Sequence, residues 1–172
     1  PILWHIMKIY SHFGFNEFVI CAGYKQHIIK EFFARHNLYN SDVTFDFTDG
    51  GKITVHNDFS EPWKVTVINT GYMTNTGGRM MKIREYLNGE RFMMTYGDGV
   101  SDVDINALLE FHKSHGKICT LTTVHPVTQF GVIEFDGNRV VAFREKSSKD
   151  VVNINGGFMV MEPEVFDLLD GD

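Results

Sequence analysis

Phe92-Met93-Met94-Thr95-Tyr96-Gly97-Asp98-Gly99 decides how this chain is read. Five apolar or β-prone residues in a row make a short buried strand, and the strand runs straight into a carboxylate held between two glycines. Helical spacing lies on either side. Met80, Met81, Ile83, Tyr86 and Leu87 form an apolar stripe from about Thr76 to Leu87, and Ile105, Leu108, Leu109 and Phe111 form another that Gly116 ends. A strand between two helices is the unit of an α/β domain.

Working outward, the same alternation recurs. Ile2, Leu3, Ile6, Met7, Ile9, Tyr10 and Phe13 repeat at helical spacing before Gly14, and Phe18-Val19-Ile20-Cys21-Ala22 is a buried strand ended by Gly23. Ile28, Ile29, Phe32 and Phe33 mark a second helix. Val43-Thr44-Phe45-Asp46-Phe47 and Lys52-Ile53-Thr54-Val55 flank Asp49-Gly50-Gly51 as a hairpin, and Val65-Thr66-Val67-Ile68 gives a further strand. Strands are expected at 118–124, 130–135, 139–144 and 154–161, the middle two joined by Asp136-Gly137-Asn138, before Pro163 opens a last helix. The expected fold is α/β, with a mainly parallel, mixed sheet carrying β-hairpin insertions. In such sheets ligands bind beyond the carboxyl ends of the strands, which puts Gly97-Asp98-Gly99 at a site.

Composition narrows the classes. The 172 residues are 43% hydrophobic and 22% charged, enough apolar material for one domain over 1–172. A formal charge of −6 gives no long-range attraction for nucleic acid, and no apolar run approaches a membrane span. Cys21 and Cys119 each lie in an apolar run and read as buried, reduced thiols, and the start of the chain does not read as a secretory signal, so a cytoplasmic protein is expected.

Several residues carry candidate chemistry. Asp98 suits Mg²⁺ bound to ligand phosphates, since that ion takes one or two protein carboxylates and completes its shell with water and phosphate oxygens; an ordinary Asp-Gly turn is the competing reading. Asp102 and Asp104 read as helix caps. Thr76-Gly77-Gly78-Arg79 opens a helix, where bare N–H groups meet a phosphate or a flat base, or where Thr76 is a plain cap. Glu145-Lys146 and Asn155-Gly156-Gly157 stand at strand ends as sugar and phosphate ligands or as plain surface. His112 and His115 are spaced for a shared metal, but Lys113 and Ser114 suggest a solvated face and no third ligand accompanies them.

The order of these motifs resembles the sugar-phosphate nucleotidyltransferases, and within them the cytidylyl branch. Pro1-Ile2-Leu3-Trp4-His5, Cys21-Ala22-Gly23-Tyr24-Lys25, Ser41-Asp42-Val43-Thr44-Phe45, Glu61-Pro62-Trp63-Lys64, Thr76-Gly77-Gly78-Arg79, Thr95 to Asp102, Phe130-Gly131, Glu145-Lys146 and Ile154-Asn155-Gly156-Gly157-Phe158 carry the likeness over nearly the whole chain. The resemblance implies a Rossmann-like sheet and CTP and glucose-1-phosphate as partners, joined with release of pyrophosphate to form CDP-glucose. It implies that Thr76, Gly77 and Gly78 lie against the nucleotide and that Asp98 holds Mg²⁺. Gly131, Glu145, Asn155 and Gly156 would contact the sugar and Lys146 its phosphate, so that Asp98 and Lys146 are the catalytic pair.

The family's first strand, its Gly-Thr-Arg loop and a lysine precede the segment that begins at Pro1, and a second metal-binding aspartate lies in a later segment than Asp172. Against that pattern the expectation is a domain truncated at both ends, with catalysis impaired. A non-catalytic nucleotide- or sugar-phosphate-binding remnant is the alternative, as is a self-associating one. With the first strand missing, the strands at 17–22 and 92–97 are expected to pair with each other or with a second copy, making a homo-oligomer. A glycosyltransferase reading would need Asp102-Val103-Asp104, one turn too late for the strand end.

Overall fold

A computed structural model describes residues 1–125, 132–144 and 153–170. It opens with α1 (Ile2–His12), β1 (Glu17–Ala22) and α2 (Gln26–Tyr39), then the hairpin β2 (Ser41–Asp46) and β3 (Lys52–Asp58), and β4 (Lys64–Asn69). Next come α3 (Thr76–Ile83), continued by a 3₁₀ turn over Arg84–Leu87, then β5 (Phe92–Met94) and α4 (Ile105–His115). The last third is β6 (Cys119–Val124), the hairpin β7 (Val132–Asp136) and β8 (Arg139–Arg144), β9 (Ile154–Met161), and a 3₁₀ turn over Pro163–Leu168.

The sheet is mixed. Among the described pairings β1 runs parallel to β4, with Glu17 opposite Lys64 and Ala22 opposite Asn69, and the others are antiparallel. β9 lies between β5 and β6 and bonds both: Met159 is opposite Met94 on one side and Leu121 on the other. The expected direct pairing of 17–22 with 92–97 does not form. β5 spends one edge on β9, and β1 spends one on β4.

Side chains join β1 to β5 instead. Ile6 and Tyr10 of α1, Ile105 of α4 and Phe158 of β9 are buried together, and both Phe18 of β1 and Met93 of β5 pack on them. The Tyr10 ring stacks on Phe158, with centroids 5.8 Å apart. Burial pushes the Tyr10 phenol well above its ordinary pKa, and a hydrogen bond with the Thr95 side chain pulls it partly back. α1 therefore grips β5 and Thr95, at the start of the segment that leads to Asp98. A second cluster of Met80, Met159, Met161, Val165 and Phe166 fills the other side, as expected of flexible methionines in a core.

Further details differ from the sequence reading: the segment opened by Pro163 is a 3₁₀ turn, and β5 ends at Met94. Cys119 is exposed, because it opens β6 where the strand has β9 on one edge only; Cys21 is half-buried. His112 is fully buried rather than solvated. Its ring nitrogens lie 2.7 Å from Thr120 Oγ1 and 3.2 Å from Glu162 Oε1. Asn75, not Thr76, occupies the cap position of α3. Asp104 does cap α4, its Oδ1 accepting from the Ala107 N–H at 2.9 Å.

A polar clasp fastens the segment before β4 onto both helices. Glu61 lies 2.7 Å from His36 Nε2 on α2 and 3.5 Å from Lys8 Nζ on α1, and His36 stacks on Trp63. Burial raises the Glu61 pKa, but the His36 bond, a backbone bond and the charges of Lys8 and His36 outweigh it and hold the carboxyl below its ordinary value. A group depressed on folding stabilises the fold above its unfolded pKa and loses that contribution as pH falls through the folded value. Melting temperature measured downward from about pH 6 to pH 3, across the carboxylate range, is therefore expected to fall more steeply for the native chain than for Glu61→Gln. Parallel curves would show that the clasp contributes nothing.

Candidate functional site

Two groups of residues gather at the carboxyl ends of the strands. The first stands where β1 and β4 end together. Thr70, fully buried, donates its N–H to the Ala22 carbonyl at 2.8 Å and its hydroxyl to the same oxygen at 3.1 Å. Arg79 Nη1 donates to Thr70 Oγ1 at 2.6 Å, and Lys82 Nζ donates to the Thr70 carbonyl at 2.8 Å and to Thr74 Oγ1 at 3.1 Å. Two cations of α3 thus clamp the 70–74 turn beneath the helix start.

The clamp leaves no room for side chains. A Cβ on Gly23 would sit 2.6 Å from the Gly71 carbonyl oxygen and 2.8 Å from Arg79 Nη1. Gly71 has φ +98, a conformation that only glycine adopts without strain. Above this turn the first residues of α3 are Thr76, half-buried Gly77 and buried Gly78. A helix start with two successive glycines, backed by two cations, attracts an anion and lets a planar group approach the backbone.

The second group surrounds the end of β5. Asp98 is exposed, and nothing lies within 4 Å of a Cβ built on Gly97 or Gly99, so the carboxylate faces open space. Asn155 Nδ2 donates to Tyr96 Oη at 3.3 Å, and Asn155 Oδ1 accepts the Gly157 N–H at 2.8 Å. Gly157, at φ +85, passes so close that its Cβ would lie 3.1 Å from the Tyr96 ring, and a Cβ on Gly156 would lie 3.1 Å from the Thr122 carbonyl. The structure therefore brings Asn155 and Gly156 of β9 beside the strand end that carries Asp98. Gly131, Glu145 and Lys146 lie outside the described residues.

Asp98 is a single exposed carboxylate with free approach, and among the described residues no cluster of three or more His, Cys, Asp or Glu could hold a metal. That donor set fits Mg²⁺, which keeps most of its shell for water and phosphate. Zinc at His112 and His115 is not supported: His112 is occupied by Thr120 and Glu162, and His115 by Thr120.

The sequence reading had no role for Tyr96, Thr70, Arg79 or Lys82. Tyr96 stands immediately before Gly97-Asp98-Gly99, and Arg79 closes the Thr-Gly-Gly-Arg run, so both lay inside motifs already singled out. Thr70 carried no signal of its own. Among the described residues no helix is long and apolar enough to cross a membrane.

The nucleotidyl transferase family model matches residues 1–171. The chain is 49% identical over 173 aligned residues to the glucose-1-phosphate cytidylyltransferase of Salmonella typhi, a match that takes in all of this chain and 67% of that protein. It is 23% identical to the UTP–glucose-1-phosphate uridylyltransferase of Synechocystis over 98% of this chain and 43% of that one. Among solved structures, HddC from Yersinia pseudotuberculosis superposes with a TM-score of 0.61 at 18% identity, over 99% of this chain and 66% of that one. A UDP-glucose pyrophosphorylase superposes at 0.59. These structural neighbours share the Rossmann-like pyrophosphorylase fold.

Proposed function

The chain belongs to the nucleotidyl transferase family, and on that premise we propose that it binds CTP and glucose-1-phosphate for cytidylyl transfer. A phosphate oxygen of the sugar phosphate attacks the α-phosphorus of CTP. The bond from that phosphorus to the bridging oxygen breaks, pyrophosphate leaves, and CDP-glucose forms. The observation that carries the reading is the identity to a glucose-1-phosphate cytidylyltransferase across the full chain.

Thr76, Gly77 and Gly78 take the nucleotide, with Arg79 and Lys82 fixing the turn beneath them. Asp98 would hold Mg²⁺, which neutralises phosphate charge when bound. Asn155 and Gly156 take the sugar, Gly131 and Glu145 are assigned to the same substrate by the resemblance, and Lys146 balances the charge of the sugar phosphate. Such a reaction needs little besides alignment and electrostatic stabilisation, and these residue types supply both. The reading includes a homo-oligomer. Two free thiols, Cys21 and Cys119, suit the reducing cytoplasm.

Lys146 gives a discriminating test. In calorimetric titrations Lys146→Ala is expected to weaken glucose-1-phosphate binding by about tenfold or more, the value of a charged hydrogen bond, and to leave CTP binding unchanged. Undiminished glucose-1-phosphate binding would remove Lys146 from the site.

A further inference from the structure

Tyr96 follows β5, two residues before Asp98, and remains 41% exposed. Its ring lies against the backbone of β9. Gly157 has φ +85, and a Cβ there would stand 3.1 Å from Tyr96 Cδ2 and 3.7 Å from Cε2. A glycine at 157 is what lets the ring settle on the strand.

The hydrogen bonds around Asn155 run in one direction only. A backbone N–H donates, so the Asn155 atom 2.8 Å from the Gly157 nitrogen is the carbonyl Oδ1. That fixes which way the amide is turned. Nδ2, which has no lone pair to offer, lies 3.3 Å from Tyr96 Oη, so the phenol oxygen accepts this bond. The phenol hydrogen is then turned away from Asn155, and among the described residues it meets no acceptor. Tyr96 is left as a donor.

We propose that Tyr96 donates this hydrogen to a hydroxyl oxygen of the sugar in glucose-1-phosphate, and that Asn155 holds the phenol in the direction that does so. The inference rests on the reading that Asn155 and Gly156 take the sugar. The surroundings select a hydroxyl. Asn155, Gly156 and Gly157 are uncharged, and an amide, a phenol and bare backbone match a neutral polyhydroxyl group. A phosphate is better met by the cations behind the start of α3 and by an ion on Asp98. Two residues of chain span at most about 7 Å, so a sugar held at Tyr96 has its phosphate within reach of an ion on Asp98. Tyr96 thereby discriminates among sugar phosphates by the hydroxyl it meets, since a site that bonds a substrate hydroxyl rejects the analogue without it.

Tyr96→Phe deletes the donor and keeps the ring against Gly157, so an unchanged melting temperature is expected. Calorimetric titration is expected to show glucose-1-phosphate binding weakened by about fivefold, the value of one hydrogen bond between uncharged groups. Binding of Mg²⁺–CTP is expected to stay the same. The deoxy analogues of glucose-1-phosphate are then titrated into both proteins. For one of them the native chain and Tyr96→Phe are expected to bind equally, because donor and acceptor belong to a single bond. The others are expected to keep the fivefold difference. Glucose-1-phosphate binding that Tyr96→Phe leaves intact would overturn the inference and leave the cytidylyl reading standing. A difference that persists with every deoxy analogue would overturn it as well, by placing the acceptor on the phosphate. A native chain that binds no glucose-1-phosphate would overturn the reading and the inference together.

Discussion

Asp98→Asn is expected to lower affinity for Mg²⁺–CTP by at least about tenfold without changing the melting temperature. Loss of a group that merely supports a metal ligand costs about 10–100-fold in metal affinity, and the residue that would hold the ion itself should cost no less. The carboxylate is exposed and nothing approaches its flanking glycines, so the isosteric amide has no packing role to disturb. A binding effect without a stability effect identifies a ligand. Titrations at fixed CTP with increasing Mg²⁺ read it directly, and an unchanged Mg²⁺ dependence in the variant would remove Asp98 from the site.

Phe158→Ala is expected to have the largest effect on stability. Phe158 is 2% exposed and stacks on Tyr10 in the cluster that Phe18 of β1 and Met93 of β5 both join. Truncating a buried phenylalanine costs about 3–5 kcal/mol, which lowers the melting temperature by roughly 10 °C in a chain of this size. Phe111→Ala removes the same atoms from an exposed position on α4 and is expected to cost under about 1 kcal/mol. Similar losses in the two variants would mean that α1 does not hold β1 and β5 together. Because the same helix bonds Thr95 through Tyr10, Phe158→Ala is also expected to weaken CTP binding at Asp98.

How much of this was legible in the chain depends on range. Local pattern was enough for the helices and most strands: the stripe from Ile2 to Phe13 became α1, and the Asp49-Gly50-Gly51 turn joined β2 to β3. Strand order was not legible. That β9 would lie between β5 and β6 depends on contacts thirty or more residues apart, and periodicity carries no information about which edges meet. His112 was misread for a related reason. Lys113 and Ser114 are its neighbours in sequence, but on a helix they turn away from it, and the His112 ring reaches inward to Thr120 and Glu162. The site divides the same way. Asp98, Gly77 and Gly78 stood in visible motifs, whereas the contact of Asn155 with Tyr96 and the clamp of Arg79 and Lys82 on Thr70 exist only once β9, β4 and α3 are folded together.

The central proposal is that the start of α3 and the end of β5 together form a nucleotide site selective for cytidine. Parallel calorimetric titrations of CTP, UTP, GTP and ATP into the chain with Mg²⁺ test it most directly. CTP is expected to bind at least about tenfold more tightly than the other three, the discrimination a polar base pocket readily achieves, and to require Mg²⁺. Equal affinities for all four nucleotides, or CTP binding indifferent to Mg²⁺, would contradict the account.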